Sequence, residues 1–173
     1  MAEGISGGRA LRTCGMLFCI LIAAAASRSQ TREALGLLGH LEGTWTMTGH
    51  VMQKPVKYEA VGRWVLNGQF LSLHMIDAVH PPEYEAEVSI GVDSAHGEFV
   101  AHWLDSFGGA GARVVGLGPL SGDTVRIVYP YDEGKFRNVF TIDPENDGWT
   151  LVVESEHDGR WSVFAQYRAA RRR

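Results

Sequence analysis

The segment Leu41-Glu42-Gly43-Thr44-Trp45 determines how the rest of the chain is interpreted. It follows a short helical pattern and precedes about ten strand-like segments that are joined by turns. A glycine two residues before a tryptophan suits the first strand of a barrel, because glycine lets the backbone bend and the indole can close one end of the interior. An ordinary core tryptophan is the alternative, so the strands that follow must decide between the two.

The clearest strand lies between residues 83 and 92, where apolar and polar side chains alternate. Its apolar set is Tyr84, Ala86, Val88, Ile90 and Val92, and its polar set is Glu83, Glu85, Glu87 and Ser89. A period of two predicts a strand with one buried face and one wet face. Upstream, Leu66-Asn67-Gly68-Gln69 separates two similar segments, and Asn-Gly favours a type I′ hairpin there.

The other apolar segments are short, evenly spaced and separated by turns rich in Gly, Asp and Pro. Strands are predicted at 45–51, 58–65, 70–79, 83–92, 98–104, 114–117, 124–129, 135–142, 149–154 and 161–167. No helical pattern is long enough to cross between parallel strands, so we expect antiparallel connections throughout. A short amphipathic helix from Thr31 to Leu41 precedes them. The pattern predicts an all-β fold, either an up-and-down barrel or a sandwich, and closure is favoured because it removes exposed edges.

The first 26 residues have the layout of a secretory signal peptide. Arg9 and Arg12 precede an apolar run from Met16 to Ala26. This run of about eleven residues is shorter than the roughly 20 that a membrane-spanning helix requires. We therefore divide the chain into a signal peptide, residues 1–26, and a barrel domain, residues 27–173, and expect a periplasmic or secreted protein. A retained membrane anchor is the alternative.

Charge and cysteine content exclude several functions. The chain carries a net charge of −4, which becomes about −5 once residues 1–26 are removed. This negative balance argues against nucleic acid as a partner. Cys14 and Cys19 both lie in the removed segment, so the mature chain can form no disulfide and no thiolate site. The basic end, Arg171 to Arg173, is expected to be frayed and solvated.

An interior cavity would be lined mainly by aromatic side chains. A barrel of eight strands is just wide enough to be filled by side chains or to hold one small ligand, and more strands leave more room. A packed aromatic core is the alternative. Arg137 and Glu154 would form a buried ion pair that orients a polar head group if both point inward, or an exposed pair if both point outward. The candidate ligand-binding residues are Trp45, Trp64, Phe70, His74, Trp103, Tyr129, Arg137 and Glu154.

The histidines do not form a metal or catalytic set. No two of them show the spacing of two or four residues that is typical of a metal site, so we predict no metal. His74 alternates with Leu73 and Met75, and periodicity does not decide which of these faces turns inward. Asp105-Ser106 lacks a nucleophile elbow and an identifiable oxyanion donor, so no catalytic residue is predicted.

Four stretches together resemble a bacterial family known as DUF1579, which is placed in the lipocalin-like, or calycin, superfamily of ligand-holding barrels. They are Leu41–Trp45, Gly62–Phe70, Ile90–Asp93 and Trp103–Ser106. The resemblance extends from about Leu41 to Arg168. It implies an antiparallel lipocalin-like barrel of about eight to ten strands that holds a small, mainly hydrophobic ligand in its interior. It implies no particular activity, and an enzyme is the less favoured reading.

The chain also resembles the nitrobindins in its Gly-x-Trp opening and its barrel. That group holds haem through a cavity histidine, which implies a second hypothesis: a haem-binding protein or small-molecule enzyme that uses His74. The predicted last strand, residues 161–167, departs from the nitrobindin pattern because it contains no histidine, so no cofactor is expected. A third hypothesis is a cavity-free envelope interaction module that uses loops such as residues 107–113. Within that loop, residues 108–111 are a candidate lid.

Overall fold

A computed structural model, which describes residues 28–172, shows a closed antiparallel barrel of ten strands preceded by one helix. Helix α1 covers residues 28–39. The strands are β1 Gly43–Val51, β2 Lys54–Val65, β3 Phe70–Asp77, β4 Glu85–Asp93, β5 Glu98–Asp105, β6 Val115–Pro119, β7 Thr124–Tyr131, β8 Gly134–Asp143, β9 Gly148–His157 and β10 Arg160–Arg171. Each strand pairs with its sequence neighbours, and β1 closes the barrel against β10.

The predicted all-β, up-and-down barrel is therefore confirmed, and the sandwich alternative is excluded. Every predicted strand is present, with small differences at its ends. The predicted signal peptide lies outside the described residues. Within residues 28–172, α1 is too short and too polar to cross a membrane.

The hairpin between β2 and β3 is present where Asn-Gly predicted it. The amide of Gly68 donates to the carbonyl of Val65 over 3.0 Å, so the two central residues of the turn are Leu66 and Asn67. Both adopt a positive φ, at 51° and 58°. A leucine in this region is unusual, and the turn lies one residue earlier than an Asn-Gly centre would place it.

The C-terminal arginines close the barrel. The amide of Arg172 donates to the carbonyl of Thr44 over 2.8 Å, and its guanidinium pairs with Glu59 at 2.8 Å. Arg171 lies in β10 opposite Trp45 of β1. The expectation of a frayed end is therefore wrong for these two residues, because the last strand extends along the whole length of the first.

The end of the barrel that carries α1 is filled by side chains, and we call it the helix end. The Trp45 indole is buried and donates to the carbonyl of Leu41 over 2.9 Å. Its ring meets Trp149 edge to face at 5.7 Å, and Trp149 contacts Phe140 at 5.9 Å. The chain entering β1 passes over Gly62, where a Cβ would collide with the Leu41 carbonyl oxygen. A packed plug thus occupies this end.

The burial of alternate apolar side chains shows which face of β3 points inward, although Ser72 on the other face is also buried, beside Glu87. In β3, Leu71, Leu73 and Met75 are at most 3% exposed, so they form the interior face. His74 lies between them and faces outward, half-exposed. The alternation that the sequence left undecided is thereby resolved, and the interior of the barrel is apolar along this strand.

Candidate ligand-binding site

Four of the five tyrosines of the chain lie towards the end of the barrel away from α1, and the fifth contacts one of them. In an up-and-down barrel, the starts of the even-numbered strands and the ends of the odd-numbered strands meet at one end. Tyr58 of β2, Tyr84 just before β4, and Tyr129 and Tyr131 of β7 lie towards that end. Tyr167 is in the second half of β10 and joins them through its contact with Tyr58. We call this region the tyrosine end.

Two arcs of aromatic rings surround the tyrosine end. In the first arc, Tyr58 lies between Tyr167 and Tyr84, with ring centres 5.7 Å and 5.8 Å away. Tyr84 continues to Phe107, whose ring centre is 5.6 Å distant and whose side chain is 83% exposed. This arc therefore runs from the buried interior to a solvent-exposed ring on the loop after β5.

The second arc starts deeper in the barrel. Tyr129 stacks on Tyr131 with ring centres 6.1 Å apart, and Tyr131 meets Phe136 edge to face at 5.9 Å. Phe136 in turn contacts Phe164 at 5.4 Å. The second arc runs over β7, β8 and β10, and the first runs from β10 over β2 to the segments beside β4 and β5, so the two arcs share β10 and together surround this end.

Two carboxylates lie among the tyrosines. Asp77 ends β3 and faces Tyr58 in the register of β2 and β3, and Asp105 ends β5 on the same strand face as Trp103. Burial is the main cause that raises the pKa of Tyr58, and the charge of Asp77 adds to it. Burial likewise raises the pKa of Tyr131, with a further contribution from Asp105. The tyrosine end is thus aromatic and acidic.

Two residues of β5, Trp103 and Asp105, affect the pKa of Tyr84. Burial raises the pKa of its phenol most strongly. The Trp103 indole opposes this by hydrogen bonding, while the charge of Asp105 adds to it. The phenol therefore remains a neutral hydroxyl over the physiological pH range, able both to donate and to accept a hydrogen bond.

Tyr129 carries a buried hydroxyl that has no hydrogen-bond partner in the described part of the chain. The residue is only 1% exposed, and burial strongly raises the pKa of its phenol. Asn138 lies near enough to favour the phenolate slightly, but it does not complete a hydrogen bond with the hydroxyl. An unsatisfied buried hydroxyl costs about 1–3 kcal/mol. A ligand atom at this position would remove that cost.

Gly116 makes room for the Tyr129 ring. A Cβ at this position of β6 would come within 2.6 Å of Tyr129 Cε1 and within 2.6 Å of Ile127 Cγ2. Only a residue without a side chain lets the phenol lie flat against the neighbouring strand. The placement of the unpartnered hydroxyl therefore depends on this glycine.

Two open clefts border the tyrosine end. One, of about 340 Å³, is lined by Ala110, Gly111, Arg113, Val114, Tyr131, Asp132 and Glu133. The other, of about 520 Å³, is lined by His50, Gln53, Val163, Phe164 and Gln166. Each reaches the second aromatic arc, the first through Tyr131 and the second through Phe164. Both clefts are open to solvent, and their linings are more polar than apolar.

The loop between β5 and β6 lies beside the first cleft. His102 holds it from the outer surface, since its Nε2 is 2.6 Å from the carbonyl oxygen of Ala112. Phe107 rests on Tyr84 from one side, and Gly111 comes close to Tyr131 on the other. The candidate lid residues 108–111 are therefore located at the tyrosine end.

Four of the eight candidate site residues belong to the interior. Trp45 is part of the packed plug. Trp64 is half-buried and lies near the end of β2, towards the same end of the barrel. Trp103 and Tyr129 lie at the tyrosine end. Of the aromatic candidates, only Trp103 and Tyr129 thus lie at the tyrosine end.

The other four candidates face outward and do not line the interior. Phe70 covers Gly91 on the outer surface, and His74 Nε2 is 2.6 Å from Glu85 Oε1. Arg137 and Glu154 are opposite each other in the register of β8 and β9 and form an ion pair at 2.7 Å. Arg137 also lies over the Trp161 ring, 4.3 Å from its centre. Both side chains therefore point outward, as the second alternative predicted, and the pair is partly buried on the outer surface.

Sequence reasoning missed most of the tyrosine end, namely Tyr58, Tyr84, Tyr131, Tyr167, Asp77 and Asp105. A signal was present for four tyrosines, because Tyr58 and Tyr84 lie at the starts of even-numbered predicted strands, and Tyr129 and Tyr131 lie at or just beyond the end of an odd-numbered one. To recognise this signal, one must know the direction of every strand around the barrel. The alternation of residues within a single strand does not give that direction.

The positions of the histidines bear on whether the barrel could bind a haem or a metal ion. In the described part of the chain, four histidines lie on strands: His50, His74 and His102 face outward, and His157, at the end of β9, is exposed. None of the four is buried in the interior, where a haem would need its ligand. Asp93, His96 and Glu98 bring potential ligand atoms within 4.8 Å of one another in the turn between β4 and β5. That group is largely solvent-exposed and away from the tyrosine end. His96 Nδ1 already bonds Asp93 Oδ2 at 2.7 Å, and this bond raises the pKa of His96.

Fold and side chains together define a ten-stranded up-and-down barrel with one packed end and one aromatic, acidic end. No protein-family model and no curated protein matches this chain.

Proposed function

We propose that this chain is an exported lipocalin-like barrel, of the DUF1579 kind, that binds a small, mainly hydrophobic molecule at its tyrosine end. The single observation that carries the proposal is the Tyr129 hydroxyl, which is buried, unpartnered and set among aromatic rings. Buried polar groups in folded proteins nearly always have a partner. A ligand atom that hydrogen-bonds this hydroxyl supplies one.

The surroundings fit such a ligand. The aromatic arcs offer apolar contact area, and one cleft is lined by Tyr131, the ring on which Tyr129 stacks. Small-molecule sites in proteins typically combine a mostly apolar lining with a few polar groups that fix orientation. Tyr129 would be the deep polar group, and Trp103 with Tyr84 would form the wall beside it.

Export is proposed on the sequence alone. Arg9 and Arg12 followed by the apolar run from Met16 to Ala26 support a signal peptide and a periplasmic or secreted location. Mass measurement of the protein recovered from its own host would test this, since cleavage near Ala26 removes a defined segment.

Binding is tested by native mass spectrometry of the protein purified from that host, followed by thermal unfolding with fatty acids, retinoids and porphyrins. We expect a co-purifying small molecule and a raised unfolding midpoint with at least one class of compound. An empty protein whose midpoint no compound moves would contradict the proposal.

The Tyr129→Phe variant sharpens this test. It removes an unpartnered hydroxyl, so the ligand-free protein should be equally stable or slightly more stable. Affinity for the recovered ligand should nevertheless fall about fivefold to tenfold, as expected for loss of one hydrogen bond. Trp149→Phe removes the other unpartnered buried group, at the helix end, and should leave affinity unchanged.

A second candidate, an interaction module, is favoured by apolar side chains on the outer surface of β5 and β6. Leu104, Val115 and Leu117 are 43–48% exposed there. Apolar patches of this kind mark contact surfaces in some proteins. Sedimentation of the purified protein over a range of concentrations would test this candidate, and a strict monomer that captures no partner would count against it.

A further inference from the structure

Tyr84 lies between two carboxylates at the tyrosine end. The amide of Asp77 donates to the Tyr84 carbonyl over 2.9 Å, which fixes the end of β3 beside this residue. On the other side, Asp105 is opposite Ala86 in the register of β4 and β5. Both carboxylates occupy inward positions of their strands, one step beyond the apolar interior.

Neither carboxylate is neutralised by the protein. Asp77 Oδ1 accepts only the amide of Val79 at 3.3 Å, and Asp105 Oδ1 accepts the amide of Phe107 at 3.0 Å. Among residues 28–172, no lysine, arginine or histidine forms an ion pair with either of them. Their charge therefore acts on whatever enters the tyrosine end.

Aromatic rings surround these charges. The rings of Tyr58 and Tyr84 are in contact at 5.8 Å, and Trp103 and Tyr131 are both near enough to act on the Tyr84 phenol. Ring faces attract cations. The charges that act on the phenols are negative, Asp77 on Tyr58 and Asp105 on both Tyr84 and Tyr131. An anionic head group would meet the same repulsion, whereas an organic cation would be attracted by both the rings and the carboxylates.

The cleft beside Tyr131 continues this pattern to the surface. Its lining contains two acidic residues, Asp132 and Glu133, against one basic residue, Arg113. A positively charged molecule would therefore meet a net negative entrance.

We infer that the tyrosine end selects a ligand with an ammonium group, held between Asp77 and Asp105 against the ring of Tyr84, and an apolar body directed towards Trp103 and Tyr129. This inference rests on the proposed function, because it names the chemical class of the molecule bound at the same end.

The test compares three compounds with the same tail: octyltrimethylammonium, octanol and octanoate. Their dissociation constants are measured with the protein as purified from its host, by calorimetry at low and high salt. We expect the ammonium compound to bind at least about tenfold more tightly than octanol, and octanoate to bind most weakly. Raising the salt concentration should reduce the preference for the ammonium compound but leave octanol binding unchanged.

Single substitutions test which residues cause the preference for the ammonium compound. Asp105→Asn keeps the shape of the side chain and removes its charge. It should therefore weaken binding of the ammonium compound about fivefold and leave binding of octanol unchanged. Asp123→Asn, in an exposed turn between β6 and β7 at the helix end, is the matched control and should change neither constant. Tyr84→Phe should retain the preference because the ring remains, whereas Tyr84→Leu should reduce it.

The outcomes separate this inference from the proposed function. Equal binding of octanol and the ammonium compound, or tighter binding of octanoate, would overturn the inference while leaving a hydrophobic ligand in place. Binding of none of the three compounds would overturn the inference, and with an empty native protein it would overturn the proposed function as well. A preference for the cation that Asp105→Asn does not alter would also overturn it.

Discussion

The guanidinium of Arg171 lies over the indole of Trp45, 4.2 Å from the centre of the ring. The first residue is in the last strand and the second is in the first strand, so this contact joins the two ends of the barrel sequence. Arg171 also donates to Asp147 Oδ1 at 2.9 Å and to the carbonyl of Glu42 at 3.1 Å. One side chain thus ties β10 to the chain that enters β1 and to the turn before β9.

Arg171→Ala should therefore destabilise the barrel by about 1–3 kcal/mol, because a cation–π contact and two hydrogen bonds are lost together. Urea unfolding followed by tryptophan fluorescence measures this. Arg168→Ala is the control, since Arg168 is 63% exposed and its oxygen partner on Asp143 is 3.5 Å away, so its loss should cost less than about 1 kcal/mol. Equal effects for the two variants would contradict the role assigned to Arg171.

The strands and their antiparallel order were predictable because alternation is a local property. The orientation of His74 was not predictable, because both faces of β3 carry apolar residues. The face is decided across strands: His74 lies opposite Glu87 and bonds Glu85, and both carboxylates are on the wet face of β4. Only the pairing register supplies that information.

The tyrosine end could not be predicted from the sequence for a similar reason. Its members are spread from Tyr58 to Tyr167 and come together only when the barrel closes. For Arg171 and Arg172 the prediction was wrong for another reason, since a run of charge at a chain end resembles a solvated tail. Extension of β10 to Arg171 pairs it with β1 instead.

Gly116→Ala should displace the Tyr129 ring, because the new methyl group would stand 2.6 Å from its Cε1. Forced repacking of this kind costs about 1–3 kcal/mol. The free energy of unfolding measures the cost, and the near-ultraviolet circular dichroism of the tyrosines should report the moved ring. Gly36→Ala in α1 has no atom within 4 Å and should instead stabilise by about 0.5–1 kcal/mol. Wild-type stability and spectrum in Gly116→Ala would mean that the ring has room to move.

Haemin should give no absorption band that depends on His74. The imidazole faces outward and bonds Glu85, so it is not available to a haem inside the barrel. His74→Ala should also cost less than about 1 kcal/mol, since the pair is partly exposed. Absorbance spectra of both proteins with added haemin provide the measurement. A sharp Soret band in the wild type that His74→Ala abolishes would restore the haem hypothesis.

The barrel should lose stability in alkaline solution because burial raises the pKa of its interior phenols. Tyr84, Tyr129 and Tyr167 all have pKa values raised from the ordinary value of 10.0. Above that pH the unfolded chain releases protons that the folded barrel retains, so the folded state binds more protons and the free energy of unfolding falls as pH rises. The stabilisation is fully present below about pH 10 and is lost above it.

Urea unfolding at a series of pH values around 10, together with phenolate absorbance, measures this loss directly. Tyr167→Phe removes one of these phenols and should make the decline with pH shallower, whereas Gly36→Ala should leave its slope unchanged. A bound ammonium compound should move the loss of stability to higher pH, because it protects the folded barrel in which the phenols remain protonated. Phenolate absorbance that develops at the ordinary pKa in the folded protein would show instead that the tyrosine end is open to water.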